Sequence, residues 1–462
     1  MSLKLTRRHF ITSAVAGVGA AWLAACTPKA APTQAPKAEA KATQPPAAQP
    51  AEKPKITLRY MERAGQLGDF MRHASSIYSE RNPHITVSNE SAGWGDLADK
   101  VPTMVAGGTM ADLAFQHGAY MLPTLAKKGV WLDMVPAADK DKHDFKIYYE
   151  WALATCKLGP QDNLVAMPMG VHFGQNELHW NINMFEQMGI EQPTNKLSKQ
   201  QLTELLTKVQ AKLPQGSFAG DFLFGGHFTA EAHARSWGGY VVSPDRKTCG
   251  LNMEKTQAAY QWGHDLMNKY RVVPKRAEIQ QGTKAMFLAG TLATFLNCSA
   301  NVWVGFKEAV GDKFKLGHCT WPYAAGEGWG TVPSCDATVI YGKTKYPDES
   351  WGLAKLLSSF EISKWTAVSI SHMTPGAVIE AWHDKDVWEA CPPYKNCAIG
   401  WDTLKPEQYG NMGVPYNTRR KEFDDLHDSE WQKMMYDESP YNKENIDKLH
   451  KQLQEIMDKP VP

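Results

Sequence analysis

Between residues 56 and 115 the apolar positions change their spacing from two to about four and back again, twice. ITLRY (56–60) alternates as a half-buried strand does. Leu67, Phe70, Met71, Ala74, Ile77 and Tyr78 then recur on one face of a helix. NPHITVS follows, with Pro83 as a break before a second strand. GDLADKVPTMVAGG reads as a second helix ending at Gly107 and Gly108, with Pro102 in its first turns. ADLAF (111–115) is a third strand. Strand, helix, strand, helix, strand in that order requires a parallel sheet with helices on its faces, so the chain is α/β.

Later segments extend the pattern. NLVAMPMG (163–170) is a strand interrupted by Pro168. SKQQLTELLTKVQAKL is a helix that Ser198 can cap, with Gln201 where a capping box wants it and Leu202, Leu205, Leu206, Val209 and Leu213 as its apolar stripe. Further helices are expected near 254–270 and 349–360. The last carries Ile446, Leu449, Leu453, Ile456 and Met457 on one face.

The amino terminus has a different composition. MSLKLTRRHF carries Lys4, Arg7 and Arg8 and no acid, and an apolar run from 11 to 25 follows. At about 1.5 Å per residue that run reaches roughly 22 Å, short of a hydrocarbon core of about 30 Å, which marks a secretory signal and not a spanning helix. Arg7 and Arg8, with Phe10 close behind, resemble a twin-arginine export signal. LAAC, ending at Cys26, resembles a bacterial lipobox, in which the cysteine thiol takes a lipid. Residues 27–55 are nearly all Ala, Pro, Lys, Gln and Thr. They have nothing to bury against their ordering entropy and are expected to be a disordered, extended tether. The protein is therefore expected outside the cytoplasm, anchored by lipid to the outer face of the cytoplasmic membrane.

Beyond the tether lie roughly 400 residues, too many for one core. A formal net charge of +1 argues against nucleic acid as a partner. Sixteen tryptophans are unusually many. Trp94, Trp180, Trp237, Trp303, Trp321 and Trp329 adjoin loop-forming residues, where flat apolar rings could stack on a sugar. Of eight cysteines, seven follow Cys26. CPPYKNC makes Cys391 and Cys397 the first disulfide candidates, with Cys319 and Cys335 a weaker pair.

Catalytic and metal motifs are sparse. No G-x-S-x-G serine elbow occurs. HFTAEAH (His227, Glu231, His233) has metal-type residues at the wrong spacing for a zinc helix, and reads as a partly exposed helix face. DDLHD (424–428) reads as a charged surface run. No cofactor or metal is expected. A distant carboxylate pair for glycoside chemistry would leave no local mark.

The order of segments resembles the family 1 extracellular solute-binding proteins of bacterial ABC transporters. The resemblance is carried by RNPHITVSNESAGWGDLADKVPTMVAGGTMADLAF, by LPTLAKKGVWLDM, by LVAMPMGVHFGQNELHWNINMFEQMGIEQPTN, by GTKAMFLAG and by SHMTPGAV. It implies a periplasmic-binding-protein-like fold: two α/β lobes, a hinge of crossing strands, and a ligand cleft that closes on its guest. The implied lobes are 56–166 plus 331–360, and 168–325 plus 363–460.

The resemblance further implies no enzymatic activity, a carbohydrate ligand, permease transmembrane subunits as partners, and a monomer. Implied cleft residues are Trp94; Gln116, His117 and Tyr120 after the third strand; His172, Phe173 and Gln175 at the crossover; Trp237 and Gly238; and Trp329 and Asp336. Maltose binders of the family carry Trp and Asp in the loop where this chain has Gln116 and Ala119, which implies a different ligand. A non-sugar solute on the same fold and a secreted glycoside-acting enzyme are the alternatives.

Overall fold

A computed structural model describes residues 53–117, 123–172, 177–194, 197–221, 226–279, 281–298, 302–320, 334–369, 374–403 and 413–461. The export signal, Cys26 and nearly all of the tether lie outside these residues. Strand β1 (Ile56–Arg63) pairs in parallel with β2 (Ile85–Ala92), from Ile56 opposite Ile85 to Arg63 opposite Ala92. On its other side β1 pairs in parallel with β3 (Leu113–His117). The helices Gln66–Arg81 and Trp94–Ala106 form the two crossovers. Leu67, Phe70, Met71, Ala74 and Tyr78 are buried, as their spacing predicts.

Two more strands complete this sheet, β4 (Met167–His172) and β8 (Ser334–Ile340), in the order β2-β1-β3-β8-β4. Both of their pairings are antiparallel. The β4 register shifts between Pro168 and Gly170. A proline cannot donate to the ladder, so its place on an edge strand is the expected one. A second sheet is antiparallel throughout, with β5 (Glu177–Asn181) between β6 (Thr294–Cys298) and β7 (Leu316–Thr320).

Each sheet has its own core. Tyr60, Phe115, Trp151 and Trp351 belong to the first, and Trp180, Phe185, Tyr260, Trp431 and Leu453 to the second. The chain leaves one core for the other after His172, after Thr320 and after Thr403. The Lys199–Gln210 helix begins with the expected capping box: Ser198 Oγ accepts from Gln201 N at 3.1 Å, and Gln201 Oε1 accepts from Ser198 N at 2.8 Å. The Lys443–Asp458 helix buries Ile446, Leu449, Leu453, Ile456 and Met457.

Two expectations require correction. Residues 363–369 and 374–398, expected in the second lobe, pack into the first: Ala377, Val378, Trp382, Tyr394 and Ala398 belong to its core. Trp382 donates its indole N–H to the Gly376 carbonyl at 2.9 Å and meets the Tyr394 ring edge-on at 5.4 Å. An apolar helical stripe shows that a face is buried but not which core receives it. Cys391 and Cys397, the first disulfide candidates, are both buried. The expected loop between them is largely helix, since Pro393–Thr403 is helical and the Tyr394 N–H closes a turn on the Cys391 carbonyl at 3.0 Å. Cys319 and Cys335 sit in different cores, and the Cys335 thiol donates to the Asp336 carbonyl at 3.3 Å.

Candidate functional site

In an open sheet of this kind, strand ends on one edge gather side chains from segments distant in sequence. Here β1, β3 and β4 end, and β8 begins, on the same edge. His117 stands opposite Asp336 in the β3–β8 register, and Asp336 stands opposite Gly170 in the next pairing. His117 Nε2 lies 3.9 Å from Asp336 Oδ1, and Asp336 is fully buried. Burial lowers the Arg63 guanidinium's affinity for its proton, and the Asp336 carboxylate opposes that effect. A Cβ added at Gly170 would make ordinary contact with Asp336, 3.4 Å from the aspartate Cβ.

Next to this edge a cavity of about 650 Å³ opens between the lobes. Gln116 lines it, with Asp99 and Lys128 from the first lobe. The second lobe supplies Arg420, Asp424 and Asp428. These three project at four-residue intervals from the Arg420–Met435 helix, so they share one face.

Behind that face lies a buried polar network. Arg420 Nε donates to Asp424 Oδ2 at 2.8 Å, and Asp424 Oδ1 is 2.7 Å from His227 Nδ1. Asp428 Oδ1 accepts from the His227 backbone N–H at 2.6 Å and lies 2.8 Å from His427 Nδ1. His427 Nε2 is 2.5 Å from the Tyr260 hydroxyl. Glu231 accepts from the Val241 and Val242 N–H groups at 2.8 and 2.9 Å and pairs with Arg235 at 2.6 Å.

Burial pushes the Asp424 carboxyl up, but the His227 hydrogen bond and the charges of His227, Arg420 and His427 hold it below its ordinary range. Burial lowers His427, and Asp428 only partly offsets this. His227, Glu231 and His233 are thus buried, not half-exposed. DDLHD is likewise no surface run: Asp424 and His427 point inward. Among the described residues no group of three His, Cys, Asp or Glu is placed to hold a metal ion.

Of the residues expected in the cleft, Gln116, His117 and Asp336 meet at the sheet edge. His172 ends β4 opposite Ser334. Trp94 opens the helix whose Gly95, Leu97 and Asp99 line the cavity. Trp237 and Gly238 are placed elsewhere. Trp237 lines a groove of the second lobe that shares no residue with the interlobe cavity. Gly238 has a φ of +75° and ends the His227–Ser236 helix in a turn. Tyr120, Phe173, Gln175 and Trp329 lie outside the described residues. The cavity's Arg420, Asp424 and Asp428 were missed by sequence reasoning. Their signal was the spacing of four, in Arg420-Asp424-Asp428 and again in His227-Glu231-Arg235.

Two α/β lobes, three passages between them and a polar cavity at their junction define a two-lobed binding protein. The sequence profile of bacterial extracellular solute-binding proteins matches residues 53–361, more than half of the 462 residues, and the chain belongs to that family.

Solved structures share the fold. An ABC substrate-binding protein of Listeria monocytogenes, in complex with cycloalternan, has a TM-score of 0.73 at 17% identity over 87% of this chain and 99% of its own. The GacH receptor of Streptomyces glaucescens, solved unliganded and with acarbose, has a TM-score of 0.70 at 16% identity over 88% of this chain and 100% of its own. The maltose/maltodextrin-binding domain MalE of Bdellovibrio bacteriovorus, bound to maltotriose, has a TM-score of 0.66 at 16% identity over 87% of this chain and 99% of its own. No curated protein sequence matches this chain. No described helix is long and apolar enough to cross a membrane.

Proposed function

We propose that the chain binds an oligosaccharide between its lobes and passes it unaltered to the permease subunits of an ABC importer. The observation that carries this reading is the interlobe cavity of about 650 Å³, to which both lobes contribute hydrogen-bonding side chains. Gln116, Asp99 and Lys128 come from one wall, and Arg420, Asp424 and Asp428 from the other. A neutral polyol presents paired hydroxyls that can serve a carboxylate, a guanidinium and an amide together, and charge-assisted hydrogen bonds are the stronger kind. A ligand that touches both walls favours the closed arrangement by its differential affinity. The saccharide complexes of structures with this fold support the ligand class.

The LAAC sequence supports a lipid on Cys26, with residues 27–55 as a tether that keeps a monomer near the outer face of the cytoplasmic membrane. Calorimetric titration with neutral oligosaccharides, followed by mass analysis of the recovered sugar, tests the reading. The expected result is saturable binding that Gln116→Ala weakens, with the sugar recovered intact. Shortened or rearranged sugar would replace this reading with a glycoside-acting enzyme.

A further inference from the structure

Asp424 and Asp428 stand about one helical turn apart on the wall that the second lobe gives to the cavity, and they are bonded differently. Both oxygens of Asp424 are engaged: Oδ1 lies 2.7 Å from His227 Nδ1, and Oδ2 accepts from Arg420 Nε at 2.8 Å. Asp428 has one oxygen engaged. Its Oδ1 accepts from the His227 backbone N–H at 2.6 Å and lies 2.8 Å from His427 Nδ1, whereas no described residue donates to Oδ2. The side chain is 35% exposed and lines the cavity, so that oxygen is open to a guest. A carboxylate only accepts, so His427 Nδ1 carries the proton of its bond to Asp428. On the far side of the ring, Nε2 lies 2.5 Å from the Tyr260 hydroxyl. His427 is fully buried, and turning its ring would break both bonds. Gly226 backs the carboxylate: a Cβ there would come within 2.9 Å of Oδ2.

We propose that Asp428 is a ligand contact of the cleft, accepting a sugar hydroxyl at Oδ2, and that His427 is its positioning residue. Hydrogen bonds to an ionised acceptor are the stronger kind, and an acceptor already held in place spares the binding step the ordering of its side chain. His427 is not in the cavity lining and acts only through Asp428 Oδ1. Both roles rest on the sugar reading of the cleft.

The full-length chain is titrated calorimetrically with maltotriose and with cellotriose, and urea unfolding checks that each variant is folded. Asp428→Asn is expected to weaken binding by about tenfold or more. His427→Gln, which withdraws the Nδ1 donor, is expected to weaken it by about threefold to tenfold. His427→Asn places an amide N–H where Nδ1 stands and is expected to bind within about twofold of the parent. Both exchanges lose the Tyr260 bond, so a merely structural role for His427 would weaken binding alike in the two. Parent-like affinity in folded Asp428→Asn overturns the contact, and equal affinities in the two His427 variants overturn the positioning role. Should Asp428→Asn not fold, the His427 pair decides alone. If neither sugar binds the parent, both roles fall together with the sugar reading of the cleft.

Discussion

Lys127, at the end of the Pro123–Lys127 helix of the first lobe, holds its ammonium 5.5 Å from the ring centroid of Tyr416 in the second. The lysine is oriented from its own side by Asp162 at 2.8 Å and the Gly159 carbonyl at 3.0 Å. Tyr416 is 44% exposed and also faces Lys247, 5.1 Å from its centroid. Arg246 holds the segment under the ring, donating to the Val414 and Pro415 carbonyls at 2.9 and 3.0 Å. Burial pushes the Arg246 guanidinium down to about 10, against the attraction of Tyr416 and of Asp162 from the other lobe. Asp162 and Arg246 adopt positive φ beside this contact, and so does Thr418 in the cavity lining, so backbone strain gathers where the lobes touch.

This contact is expected to act as a latch. A cation–π pair at an exposed site contributes about 0.5–1 kcal/mol. Tyr416→Ala is therefore expected to shift the unliganded protein toward lobe separation by roughly twofold to fivefold, and to weaken ligand binding by at most the same factor. Spin-label distances between the lobes, measured without ligand, check this. Identical distance distributions in parent and variant would rule the latch out.

Trp382 tests the reassignment of residues 374–398. It is 1% exposed within the first core, and truncating such a side chain costs about 3–5 kcal/mol. Trp382→Ala is expected to lose amide-exchange protection in β1, β3 and β8 while β5, β6 and β7 keep theirs. Loss confined to β5–β7 would return the segment to the second lobe.

The parts of this fold that were legible in sequence are those that depend on local periodicity. Ser198 and Gln201 make their box within three residues, and Ile446 to Met457 make their stripe within one helix. Gln116, His117 and Asp336 came instead from the family resemblance, and β3 and β8 place them together at one end of the sheet. Trp382 was illegible because its stripe fits either core. The pairing of Asp424 with His227 spans 197 residues, so no local pattern announces it. Each half alone reads as a solvated charged face, and only the crossing of two helices desolvates both.

That pairing is open to measurement. Hydrogen bonds to charged groups contribute about 1.5–3 kcal/mol, and Asp424 bridges Arg420 and His227. Asp424→Asn is expected to lower unfolding stability by about that amount in urea. Combined with His227→Gln, the two losses should fall short of additivity by about 0.5 kcal/mol or more, as residues in one network do. Additive losses would show that the contact carries no coupling.

The buried histidines set the acid limit of the second lobe. His179, fully buried beside His318 with ring centroids 4.9 Å apart, is held well below its ordinary value of 6.5, chiefly by burial and then by the His318 charge, against one backbone hydrogen bond to Gly317. His427 is lowered by burial too, facing Tyr260, Asp428, Asp424 and His227. Both therefore bind protons more readily unfolded than folded. Their contribution is complete above about pH 6.5 and is lost as pH falls below that value. Asp424 is depressed instead, so its contribution holds above about pH 4 and is lost only as pH falls through its folded value. Urea midpoints measured from pH 7.5 downward should decline first below 6.5 and again below 4. His427→Gln lowers the whole curve by removing two hydrogen bonds, but it should make the first decline shallower, leaving the part that His179 supplies. A first decline equally steep in the variant would mean that His427 does not titrate with unfolding.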